Sequence, residues 1–195
     1  MRQRIAHLTS SLLNPFLVSF ITIIFIVMDS TDSVTGALKW TAISLVLSVI
    51  PVFTFVLYQV RRKKLESIFP ETPVQRKMIY ILASAVAAAG CGVMWSFKAP
   101  ELLVVSFTAG LAAIVIFMAI NLYWKISLHT AFISAAATML TMAYGARVAW
   151  VFLLLPLVAW ARLELKLHTP AQVVAGALLA AAIIIGALWG FGVVV

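Results

Sequence analysis

The chain has 195 residues, 64% of them hydrophobic and only 10% charged, a balance that excludes an ordinary soluble domain and predicts an integral membrane protein. The net charge of +8 gives no case for a nucleic-acid partner, because in a membrane protein the placement of cations matters more than their total. The one cysteine, Cys91, lies in an apolar run and cannot form an intrachain disulfide.

The opening MRQRIAHLTSSLLNPFLVSF sets a positive flank before an apolar stretch. No small-x-small cleavage site follows and further spans come at once, so it reads as an uncleaved first span rather than a signal peptide. In chain order the apolar segments are 12–28, 40–60, 78–95, 102–123, 128–144, 148–161 and 170–192. Each has about the 15–25 residues a bilayer core requires. The fifth and sixth are short and separated only by Gly145-Ala146-Arg147. Tyrosines and tryptophans gather at the segment ends, most clearly Trp40, Tyr58, Tyr80, Trp95, Tyr123 and Trp124, as an aromatic belt would. The expected fold is an all-α integral membrane helical bundle of about seven transmembrane helices. Residues 1–195 form a single transmembrane domain, with a basic loop at 61–77 inside it.

Seven spans divide the cations one-sidedly. Arg2, Arg4, Arg61, Arg62, Lys63, Lys64, Arg76, Lys77, Lys125, Arg162 and Lys166 fall on one side, against Lys39, Lys98 and Arg147 on the other. The positive-inside rule then puts the N-terminus in the cytoplasm and the C-terminus outside, in a multi-pass inner (plasma) membrane protein. The basic loop is sufficiently explained as a topology signal, and such clusters also attract anionic membrane lipids.

Two histidines share the cytoplasmic face, each at a helix entrance. Thr169 is a good N-cap and Pro170 suits the first helical position, so His168 stands just ahead of a helix N-terminus that favours an anion. Arg162 offers a planar charged fork for phosphate oxygens. A neutral imidazole beside a bound phosphate can attack phosphorus, and a second histidine can act as general acid. His129 suits that role if the fifth and seventh spans pack together, with Ser127 as a hydrogen-bond donor and Lys125 balancing charge. The bland alternative is that these groups only anchor helix ends in the headgroup layer. Two histidines without a carboxylate or thiolate cluster make a poor zinc site.

These stretches resemble motifs of the type 2 phosphatidic acid phosphatase superfamily, membrane-embedded enzymes that hydrolyse lipid phosphates through a phosphohistidine. Ile126-Ser127-Leu128-His129 is similar to that family's Pro-Ser-Gly-His at its serine and histidine. Arg162, five residues, then His168 has the spacing of its Ser-Arg-x5-His-x3-Asp motif. The resemblance implies a six-helix phosphatase-like core plus one helix, His168 as nucleophile, His129 as acid, and Arg162 and Ser127 as phosphate ligands. It implies a lipid phosphate or prenyl diphosphate substrate and no cofactor. Lys125-Ile126-Ser127, His129-Thr130, His168-Thr169 and Gln172-Val173 together resemble a divergent bacterial branch of that superfamily.

The chain departs from the pattern in three ways. Gln172 stands where the family has the aspartate that orients the nucleophile; it can accept a hydrogen bond from the ring but brings no negative charge. The family's Lys-x6-Arg-Pro motif is absent, and Arg76 and Lys77, with Lys125, are the candidates to replace its charges. Charge bias also puts the site in the cytoplasm, whereas many relatives act on the other face. The rival expectation is a catalytically degenerate phosphatase-fold protein, a structural or lipid- or pigment-binding subunit of a larger membrane complex; a homo-oligomer is also open. A transporter is third, since the spans lack ionisable groups at mid-membrane. Small residues in the fifth and seventh spans suit close packing. Pro51 and Pro156 are expected to kink their spans. Glu164 and Lys166 read as solvated loop charges.

Overall fold

The computed structural model describes residues 1–70 and 72–193. Its helices are α1 (Arg2–Leu12), α2 (Pro15–Asp29), α3 (Val34–Val46), α4 (Val49–Arg61), α5 (Pro73–Ser96), α6 (Glu101–Asn121), α7 (Leu128–Tyr144), α8 (Leu154–Glu164) and α9 (Pro170–Gly190), with a 3-10 stretch, Ala146–Leu153, leading into α8. No strand occurs among the described residues, in line with the expected all-α class. Five helical stretches are long and apolar enough to cross a membrane, Val34–Arg61, Pro73–Ser96, Glu101–Asn121, Ala146–Glu164 and Pro170–Gly190. The pair α1 and α2, bent by 44°, makes a sixth if it is one span. α7 coincides with the expected fifth segment, but its 17 residues rise only about 26 Å against a hydrocarbon core of about 30 Å. The structure therefore supports five or six spans by length and composition, not the full seven.

Both prolines act as breakers rather than as mid-helix kinks. Pro51 and Pro156 each occupy the third position of their helix, where the ring cannot donate to the carbonyl four residues back. Before Pro51 the chain breaks between α3 and α4 at Leu47 and Ser48; before Pro156 the turns tighten to 3-10 geometry. Gly145, at φ 76°, reverses the chain after α7, a conformation open to glycine.

The chain forms two compact units, one of Met1–Thr22 with the chain from Lys125 onward, the other of Ile23–Trp124. In the second unit α5 and α6 pack closely, with the Phe107 ring over Gly90, where a Cβ would sit 2.6 Å from it. Asn121 Nδ2 donates to Tyr80 Oη at 2.8 Å between the same two helices. Tyr80 and Trp40 are buried and so do not join the aromatic belt, while Tyr58, Trp95, Tyr123 and Trp124 are exposed as expected.

In the first unit α7 is the most enclosed helix. Thr130 Oγ1 donates to the Val173 carbonyl at 3.0 Å and Ser134 Oγ to the Ala177 carbonyl at 2.7 Å. The contacts advance together along both chains, so α7 and α9 run parallel. Gly176 allows the approach: a Cβ there would meet the Ser127 carbonyl oxygen at 2.6 Å and Thr130 Oγ1 at 3.0 Å. Val18, Ile133, Ala136 and Val158 form the apolar cluster beside this pair. α1 lies along α8 with Ala6 and Ser10 turned inward.

Candidate functional site

Parallel packing brings the starts of α7 and α9 to one end of the first unit. Two helix N-termini side by side present free N–H groups and positive dipole ends in one place. The register is fixed there by backbone as well as side chains, since Ser127 N–H donates to the Gln172 carbonyl at 3.2 Å. Ser127 is fully buried and caps α7, its hydroxyl accepting from Thr130 N–H at 3.5 Å.

The spacing from Arg162 to His168 is a helix ending followed by a helix start. α8 closes in a Schellman turn: Lys166 N–H donates to the Leu163 carbonyl at 2.9 Å and Leu167 N–H to the Arg162 carbonyl at 3.1 Å. Lys166 takes the left-handed position, at φ 54°, that glycine usually fills. Glu164, the last residue of α8, pairs with Arg2 at 3.3 Å. Glu164 is therefore an ion-pair partner at a helix end rather than a plain loop charge, while Lys166 is an exposed charge in the turn, as expected.

Thr169 then caps α9 through a reciprocal box. Gln172 N–H donates to Thr169 Oγ1 at 3.4 Å, and Thr169 N–H to Gln172 Oε1 at 3.0 Å. The same Oε1 lies 3.3 Å from His168 Nδ1. An amide oxygen only accepts, so this contact calls for a proton on Nδ1. Gln172 thus takes the orienting position expected of it while also capping its helix.

His168 is partly buried, and the backbone of Lys125 is a second partner of its ring. Burial, then the charges of Arg162 and Lys125, push its pKa from 6.5 down to about 4 despite opposing hydrogen bonds to Gln172 and the Lys125 backbone. The ring is neutral at physiological pH. His129, near the start of α7, is only 2% exposed. Its ring bonds to the backbone of Ser10, and Arg162 and His168 both lie within electrostatic reach. Arg162 is 7% exposed and donates from Nη1 to Ser10 Oγ at 2.8 Å.

Lys125, Ser127, His129, Arg162, His168 and Gln172 are thereby gathered at one end of one unit. Arg76 and Lys77 belong to the other unit, at the start of α5, where Arg76 Nη2 donates to the Asn121 carbonyl at 3.5 Å. Sequence reasoning missed Ser10, whose contact with Arg162 spans 152 positions and leaves no local signal. It gave no packing role to Thr130, whereas Ser134 and Gly176 belong to the small residues of the fifth and seventh segments that were expected to pack closely, and they do. Comparison with family models, with curated proteins and with solved structures gives no match to this chain.

Proposed function

We propose that this protein is a membrane phosphatase that hydrolyses a lipid phosphate or prenyl diphosphate at the cytoplasmic face through a phosphohistidine on His168. The observation that carries the reading is the meeting of two parallel helix N-termini with His168, His129, Arg162 and Lys125, beside a Gln172 oxygen that accepts from His168 Nδ1. Such an end attracts a phosphate dianion, and a neutral Nε2 can attack it. In the first step the Nε2 lone pair forms a bond to phosphorus, the bond to the leaving oxygen breaks, and that oxygen takes a proton from His129, whose ring enters the step as the imidazolium, having taken up a proton as the phosphate dianion binds beside it. In the second step water attacks phosphorus, gives a proton back to His129, and the phosphorus–nitrogen bond breaks to release inorganic phosphate. Arg162 and Lys125 balance the phosphate charge, with Ser127 at the α7 cap as a further donor.

A second reading is favoured by burial. His129 at 2% exposure and Arg162 at 7%, both tied to Ser10, could serve only to lock α1 onto the bundle of a structural or lipid- or pigment-binding subunit. Phosphate release from phosphatidic acid, phosphatidylglycerol phosphate and prenyl diphosphates separates the two. Purified protein is run beside His168→Ala, with EDTA present. Release that survives EDTA and is lost in the variant is the expected result. Release no greater than the variant's on every lipid would leave the subunit reading in its place.

A further inference from the structure

α1 carries the polar leader of the chain, yet its last turn reaches Arg162 and His129 in the candidate site. Ser10 is buried there and has two contacts with the proposed machinery. Its hydroxyl accepts from Arg162 Nη1 at 2.8 Å, and its backbone is the partner of the His129 ring. The backbone contact has a simple origin. The last carbonyls of a helix lack intrahelical partners, and the Ser10 carbonyl does not receive the Asn14 N–H that would continue the ladder to it. Thr9's carbonyl is taken by Leu13 N–H and Ser11's by Asn14 Nδ2 at 2.6 Å. The His129 ring N–H supplies the partner at Ser10.

From this we infer that Ser10 is the positioning residue of the phosphate site, an inference that rests on the phosphatase reading. Its hydroxyl sets the orientation of the Arg162 fork toward the phosphate oxygens, and its carbonyl holds the His129 ring with the other nitrogen turned to the leaving group. α1 is then a working part of the site rather than a topogenic leader. Losing the Ser10 hydroxyl removes one fixed partner of the guanidinium, so its aim at phosphate, and with it the contact, weakens even when the fold is intact.

The test uses the full chain in detergent micelles and inorganic phosphate as the probe. Neutral imidazoles react with diethylpyrocarbonate, and bound phosphate shields His168; mass spectrometry of the His168 peptide gives the phosphate concentration for half protection. Ser10→Ala should raise that concentration about tenfold or more, the usual consequence of losing a hydrogen bond to a charged group. Ser10→Thr, which keeps the hydroxyl, should stay within about twofold of the parent. Melting temperature is recorded alongside, and if Ser10→Ala does not fold, Ser10→Cys supplies a similar volume with a poor acceptor. Equal protection in the parent and the hydroxyl-less variant, or no rescue by threonine, overturns the positioning role while leaving the phosphatase reading intact. Absence of phosphate protection in the parent itself overturns the phosphate site, and this inference with it.

Discussion

Gly176→Ala is the sharpest test of how the site end is assembled. The new Cβ would lie 2.6 Å from the Ser127 carbonyl oxygen, where ordinary contact begins at 3.4 Å, so α7 and α9 must part by about 0.8 Å. That parting would lengthen the Ser127 N–H to Gln172 carbonyl bond, now 3.2 Å, beyond hydrogen-bonding range, and strain the Thr130 to Val173 bond at 3.0 Å. Overpacking of this kind costs about 1–3 kcal/mol, and an interhelical side-chain bond in a membrane about 0.6 kcal/mol. Alanine's better helix propensity returns up to about 1 kcal/mol. The net expectation is a loss of about 1–2 kcal/mol, or about a 5- to 30-fold fall in the folded-to-unfolded ratio. Gly186→Ala is the matched control, because nothing lies within 4 Å of its Cβ position. It receives the same propensity gain without the clash and should be neutral or stabilised. Unfolding by SDS titration from mild micelles, followed by circular dichroism, reads both variants. If Gly176→Ala proves as stable as Gly186→Ala, the close parallel contact of α7 and α9 is wrong, and so is the convergence built on it.

Other outcomes follow from single contacts. Ser134→Ala removes the 2.7 Å bond to Ala177 and should cost about 0.6 kcal/mol, at most about 1.7 kcal/mol, in the same titration. Lys166→Gly relieves a left-handed residue at φ 54° and should stabilise by about 1 kcal/mol; a loss instead would show that the lysine side chain, not the turn, matters there. His168, held at about 4 against 6.5 when unfolded, contributes stability that is complete above about pH 6.5 and is lost as pH falls toward 4, because the unfolded chain takes up the proton first. The nucleophile should likewise fail only as pH falls through about 4, and Gln172→Asp, which adds a negative charge beside Nδ1, should move the acid limb of phosphate release upward. An unmoved acid limb in that variant would argue against His168 as the titrating group.

Much of the helical arrangement was legible because it rests on local signals. Thr169 and Pro170 mark the start of α9, and the cap forms as its residue types dictate, with Gln172 completing the box three positions on. The boundaries of α7 match those expected from hydropathy, 128–144. The fifth segment was already short for a bilayer in the sequence, and α7 keeps that length, falling short of a comfortable span. Trp40 and Tyr80 were misread because an aromatic near a span end looks the same whether it faces headgroups or a neighbouring helix. Tyr80 was decided by a partner, Asn121, 41 positions away. The gathering of His129, Arg162 and His168 was legible only as an expectation from spacing, since it depends on α7 and α9 lying side by side. Ser10 was out of reach altogether: nothing within α1 announces that a guanidinium from α8 will end on its hydroxyl.

The hydroxyl bonds between α7 and α9 have a consequence for motion. Donors recur every four residues on α7, at Thr130 and Ser134, and their acceptors every four on α9, at Val173 and Ala177. A small slide breaks both interhelical bonds; Thr130 keeps the Ser127 carbonyl at 3.1 Å, but Ser134 loses its partner and in lipid no water replaces it. A slide of one full repeat, about 6 Å, would re-pair only one of them and carry Gly176 away from Ser127. The two helices therefore have one register or none, with no gradual path between. His129 and His168, each fastened to the start of one of these helices, inherit that all-or-none alignment, so heat or substitution should abolish the site as a step rather than erode it by degrees.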